Sequence, residues 1–329
     1  MFRAILLVTC IALPLSSCGS TGPSKEDLAR QTEIHIDSAR AYINMGEYQR
    51  AEDQARRGLS NAPDNLDLKL ALARAMQMQR TTAKILHAEA IYRELPRDED
   101  YRVALGFGET LERKGLAYAE AADGVRSGER PVPDPERVAA EHDATAMKAW
   151  AEAAKVFREG LEMKTSNTEL MSGLARVYSL MGDDENALTW CQATLDIVRG
   201  DRDFWDTRLE RDDLTDNEAA RFRAALARLD ELEVGLRLLA ANLEVRLGNK
   251  EKAIVHLGKV IEIEPTLAQA YSLRAGLLMD LERYEEVVAD IDDFLRRANL
   301  PFDNVKVQRA FQLQTEAKGE LAAASAVGS

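Results

Sequence analysis

The sequence predicts an all-α chain arranged as a stack of helix pairs. Three observations predict it. Charged residues make up 30% and aromatic residues 6% of 329 residues, with 19 Gly and 9 Pro to interrupt regular structure; that mix favours helix. A pattern of small residues recurs with a period of about 34 residues. The length is ample for a large core or an extended array.

The clearest copy of the pattern spans residues 32–65. Ala39 and Tyr42 lie on one face of a first helix, Gly46 ends it, and Glu47 and Tyr48 open the turn. Ala51, Ala55, Gly58 and Leu59 follow on one face of a second helix, which Pro63 closes. The small residues let helix backbones approach, and Tyr42 and Leu59 fill the gaps between them. Residues 66–99 form a weaker copy with Leu72, Ala73, Met76 and Pro96. Another begins at 101 with Phe107, Gly108, Leu111 and Gly115. Leu174, Ala175, Tyr178, Gly182, Ala187 and Leu195 mark the next, and Ala241, Gly248, Ala253, Ile261 and Pro265 the one after. The last keeps Tyr271, Ala275, Tyr284 and Leu295 but has Glu282 in place of Gly. Residues 304–320 read as an amphipathic helix, with Val305, Val307, Ala310 and Phe311, that caps the open end.

Six copies in phase resemble the tetratricopeptide repeat (TPR). The resemblance implies a right-handed α-solenoid over residues 28–322, ahead of a flexible tail at 323–329. Two stretches depart from the period. Gly115 to Gly182 and Gly182 to Gly248 each exceed it by nearly a whole repeat, the excess falling near 116–150 and 199–232. The first holds Pro131, Pro133 and Pro135, with Pro135 suited to a helix start. In the second, Thr215 to Glu218 reads as a capping box. Phe222, Leu226, Leu229, Leu232, Leu236, Leu239 and Leu243 then form a coiled-coil-like seam. Either two helix pairs are extended into long hairpins, or each excess is a repeat that lost its Gly. The unbroken run from Asp216 to Leu247 favours extension. Trp205, near the second tip, either anchors a partner or plugs the hairpin.

The amino terminus carries an address. Arg3 precedes an apolar run from Ala4 to Pro14, and Leu15-Ser16-Ser17-Cys18 follows. The run is shorter than the about 20 residues that a spanning helix needs, and its layout is that of a signal peptide. Ending on cysteine, it resembles the lipobox of bacterial lipoproteins. The resemblance implies removal of residues 1–17, lipidation of Cys18 and a short linker over 18–27. With Gly19 rather than Asp after the cysteine, it also implies the outer membrane, facing the periplasm, in a Gram-negative cell. Cys10 would leave with the signal, so Cys191 remains alone and reads as a buried small hydrophobe rather than a reactive thiol.

The formal charge of −13 argues against nucleic acid and anionic lipid headgroups as main ligands. His35, His87, His142 and His256 fall in no metal-ligand spacing, and there is no Cys-x-x-Cys, no Gly-x-Ser-x-Gly and no phosphate loop. Gly106-Phe107-Gly108 sits where repeats pack closely. The acidic runs at Asp183 to Glu185 and Asp290 to Asp293 read as helix starts or solvated faces. We expect no enzyme activity, no cofactor, no metal and no small-molecule substrate.

Repeats of this kind bind proteins along stacked first helices. Phasing the copies places Arg40, Arg74, Glu109, Arg176 and Asn242 at one equivalent groove-facing step. The arginines could pair with a partner's carboxylates or with local Glu. The row lacks the Lys and Asn pattern of repeats that clamp C-terminal carboxylates. The expected function is a membrane-anchored scaffold for an envelope assembly. Lipoproteins with such repeats include secretin pilotins, barrel-assembly subunits and adaptors of cell-wall enzymes. The alternative is a peptidoglycan binder or a regulator of a cell-wall enzyme.

Overall fold

The computed structural model describes residues 24–327, which form thirteen α-helices. The signal segment, Cys18 and most of the expected linker lie outside the described residues. The helices come in pairs: α1 (Lys25–Asn44) with α2 (Tyr48–Asn61), α3 (Leu66–Met78) with α4 (Thr82–Arg93), and α5 (Tyr101–Arg126) with α6 (Pro135–Met163). They continue as α7 (Thr168–Leu180) with α8 (Asp184–Leu209), α9 (Asp216–Arg246) with α10 (Lys250–Ile263), and α11 (Ala268–Asp280) with α12 (Tyr284–Arg297). A single helix, α13 (Val305–Val327), follows. Two compact units divide within α3, the first ending at Leu72 and the second starting at Ala73.

In the first unit, Ser24 caps α1 through a reciprocal capping box with Asp27, so the helix starts three residues before the expected boundary at 28. Ile36, Ala39, Ala51, Ala55, Leu68, Ala71 and Leu72 are buried apolar residues of this unit. A Cβ on Gly58 would meet both Leu68 methyls at 2.7 Å, so the glycine sets how closely α2 and α3 approach.

The turn between the helices of a pair has one requirement: a residue in the left-handed region two positions before the second helix. Gly46, Gly182 and Gly248 meet it with φ of +76°, +78° and +80°. Arg80 and Glu282 take the same place with φ of +59° and carry the strain of a side chain there. Gly115 is different. It lies inside α5, where a Cβ would collide with the Trp150 indole. It is a packing glycine, and its turn has moved outward to 127–134, where Gly128 and Asp134 have positive φ. Gly106 gives the same kind of room to Tyr92, while Gly108 and Gly173 flank Phe157.

Both excess segments are therefore extended helices. α5 and α6 have 26 and 29 residues, and α8 and α9 have 26 and 31, against 12 to 14 in α3, α4, α10, α11 and α12. Asp134 caps α6 directly before Pro135, and the Thr215–Glu218 capping box opens α9. The first hairpin tip closes over Ala122, Val125 and Ala139. The second closes over Trp205, whose ring lies 5.3 Å from Phe222 and 5.0 Å from Phe204. Phe204 stays 48% exposed, beneath the Arg208 guanidinium. The first tip joins the two helices of a pair, whereas the second joins one pair to the next.

Two expectations are corrected. α13 continues to Val327, so most of the expected tail 323–329 is helix. Its stripe of Val307, Ala310, Gln314 and Ala317 is buried at spacings of three and four, and Ala310 and Ala317 join the apolar cluster of α11 and α12. Asp290 belongs neither to a helix start nor to a solvated face. It is 4% exposed and accepts two hydrogen bonds from Arg274, at 2.7 and 2.8 Å.

Candidate partner-binding face

In the second unit, α3, α5 and α7 present a connected polar face. Arg74 and Gln77 of α3 reach Glu109 of α5, with Gln77 Nε2 donating at 3.4 Å. Arg176 of α7 donates to both Glu112 oxygens of α5, from Nε at 2.8 Å and Nη2 at 2.9 Å. Burial works against the Arg176 charge, but this fork-to-fork pairing outweighs it and holds the proton above the usual guanidinium range. The Glu112 carbonyl accepts the Trp150 indole N–H at 3.2 Å, tying the face to α6. On the other side of Arg176 is a cleft of about 380 Å³ against α9. Leu232, Gly235, Leu236 and Leu239 make its apolar floor, with Ser172, Glu231 and Asn242 beside them.

The structure brings together four residues of the predicted row. Arg74 and Glu109 pair with each other, and Arg176 and Asn242 line one cleft. Arg40 belongs to the first unit and donates to Asp67 at 3.0 Å. Each of the three arginines thus has a carboxylate of this chain. Trp205 is half-buried at its hairpin tip, away from the row.

Sequence reasoning missed Arg113. It lies on α5 one helical turn beyond Glu109. Phasing at a single step per repeat selected Glu109 and passed over the next turn of the same face; a row read two turns deep would have included it.

Much of the remaining polar chemistry is engaged in packing, although among the described residues the buried Tyr178 hydroxyl and His256 Nδ1 have no hydrogen-bond partner. Glu89, 6% exposed, is held by Arg93 and Lys114, and Arg93 continues to Glu152, which stitches α4 to α5 and α6. Cys191 is fully buried, and burial pushes its thiol up to about 12. His35 Nδ1 meets Gln54 Oε1 at 2.8 Å, and His142 lies against Tyr118. Among the described residues no group of three or more His, Cys, Asp or Glu could hold a metal ion, and no helix is long and apolar enough to cross a membrane.

No curated protein matches the chain. Among solved structures, the apo form of RapI aligns with a TM-score of 0.55 at 13% identity, over 88% of this chain and 72% of that one. Pseudomonas aeruginosa pilF gives 0.49 at 13% identity, over 87% and 98%. A thermophilic TPR protein from Thermus thermophilus gives 0.47 at 15%, over 75% and 99%. The likeness to RapI is one of fold. A family profile described as Tetratricopeptide repeat matches residues 170–203, which cover α7 and the first part of α8. The chain is an all-α array of helix pairs that contains a tetratricopeptide repeat at residues 170–203.

Proposed function

We propose that this chain is a lipid-anchored scaffold of the bacterial cell envelope. In this reading Cys18 holds it to the outer membrane, and the face of α3, α5, α7 and α9 recruits a protein partner in the periplasm. The observation that carries the binding role is the juxtaposition, on one face, of a guanidinium cluster and a leucine-floored cleft. A polar rim beside an apolar pocket is the usual anatomy of a protein interface. The Leu15-Ser16-Ser17-Cys18 segment supports the anchor.

The test is membrane fractionation of wild type and Cys18→Ala, with mass spectrometry of the amino-terminal peptide. We expect acyl mass on Cys18 in wild type, and a Cys18→Ala product that is soluble or retained as precursor. Equal recovery of both proteins in the outer membrane would refute the anchor.

A further inference from the structure

Arg113 stands out from the cations around it. A guanidinium has five N–H donors and no way to shed its charge at ordinary pH. Among the described residues, its one hydrogen bond goes from Nη2 to the Met78 thioether at 3.6 Å, a weak acceptor. The carboxylates that α5 sends to its neighbours are committed: Glu109 to Arg74 and Gln77, Glu112 to both donors of Arg176. The side chain is half-buried, and burial, then Arg74 and Arg80, then Arg176, disfavour its charge against the pull of Glu112. Among the described residues, the ion pairs of this cluster are Arg74–Glu109 and Arg176–Glu112, and Glu231 lines the cleft on the other side of Arg176, so no carboxylate forms an ion pair with Arg113. A half-buried cation without a counter-ion is unfavourable in the free protein. A carboxylate delivered from outside would satisfy two of its donors at once.

Resting on the protein-binding reading above, we infer that Arg113 is the recognition point for a carboxylate of a partner protein. The segment that delivers it places apolar side chains in the adjoining Leu232–Leu236–Leu239 cleft. Arg176 joins the two halves, because it faces Arg113 electrostatically and also lines the cleft. The leucine floor calls for apolar side chains beside the acid, which a polypeptide supplies and a nucleic-acid backbone does not. The overall negative charge disfavours polyanions as ligands of this chain.

Two measurements on the purified full chain test this. The first is the Tm of Arg113→Met. Removing an uncompensated charge raises Tm, by about 1–2 °C for a chain of this size; a fall would make Arg113 a structural residue and overturn the inference. The second is selection of a displayed library of random 12-residue peptides, with free and amidated C-termini in the synthetic hits. We expect enrichment of Asp or Glu within a turn of Leu, Ile or Phe. We also expect at least ten-fold weaker binding of the hits to Arg113→Met, partial retention by Arg113→Lys, and no change with the exposed Arg158→Met. Loss on changing the internal acid to its amide assigns a side-chain carboxylate; loss on amidating the end assigns the C-terminus. Hits without an acid, or hits indifferent to Arg113→Met, overturn the inference and leave the scaffold reading standing. A library that yields no binder on wild type overturns both.

Discussion

Replacing Gly115 and Gly235 by alanine, one at a time, should move stability in opposite directions. Both lie inside long helices, where Gly→Ala gains about 0.5–1 kcal/mol from backbone entropy. At Gly235 nothing lies within 4 Å of the new Cβ, so the gain should appear whole. At Gly115 the Cβ would occupy the space of the Trp150 indole. The ring is 7% exposed and donates to the Glu112 carbonyl at 3.2 Å, so it cannot swing away without losing that bond. Overpacking costs about 1–3 kcal/mol and the lost hydrogen bond about 1 kcal/mol. Net destabilisation should be about 1–3 kcal/mol once the helix gain is subtracted. Urea unfolding followed by circular dichroism reads both variants. Trp150→Phe in the Gly115→Ala background should recover part of the loss, as a coupling of about 1 kcal/mol. A stabilised Gly115→Ala protein would refute the account of that residue as a packing glycine.

Glu282→Gly should raise the urea midpoint, corresponding to about 0.5–1 kcal/mol, because φ of +59° suits glycine and strains glutamate; an unchanged or lower midpoint would contradict the strain. Thr215→Ala should cost about 1 kcal/mol, localised to the second hairpin, and hydrogen exchange should speed up at the start of α9 while α11 and α12 keep their protection. Cys191 should resist iodoacetamide at pH 8 in the folded protein and react fully in denaturant, as peptide mass spectrometry would show. Its folded thiol titrates at about 12 against an ordinary value of 9.0, so the unfolded chain sheds this proton first. Its contribution to stability is therefore full below about pH 9 and lost as pH rises toward 12. Cys191→Ala should flatten that part of the stability-pH curve.

The repeat was legible because it repeats: small residues at Ala39, Ala51, Ala175, Ala187, Ala253 and Ala275 are all buried at the expected helix contacts. The hairpins were legible as surplus length, the first around the prolines at 131, 133 and 135 and the second ahead of an unbroken run from Asp216 to Leu247. Two things hid in plain sequence. Gly115 falls 35 residues after Arg80 and so mimics a turn glycine; only Trp150, a partner 35 residues further on, reveals its packing role. Asp290 sits in a run of acids whose solvent-facing look says nothing of Arg274, 16 residues away and bound to it through the fold. The candidate site was half legible for the same reason. The periodic step found Arg74, Glu109, Arg176 and Asn242, but the carboxylate that takes Arg176, Glu112, comes from the next turn of α5, as does Arg113. Pairing across helices obeys three-dimensional neighbours rather than phase.

The placement of the two long hairpins sets a geometric limit on how the second unit can be held. Successive helices run antiparallel, so connections within pairs gather on one edge and connections between pairs on the other. The α5–α6 tip leaves by the first edge and the α8–α9 tip by the second. α5 and α8, at 26 residues each, are rods of about 39 Å. A single flat surface can meet one tip only, and whatever grips Phe204 leaves the loop of Pro131 and Pro133 pointing the opposite way. Occupied at both tips, the unit would act as a strut, its span written in the length of its helices and adjustable in steps of about 5.4 Å by adding or deleting a turn.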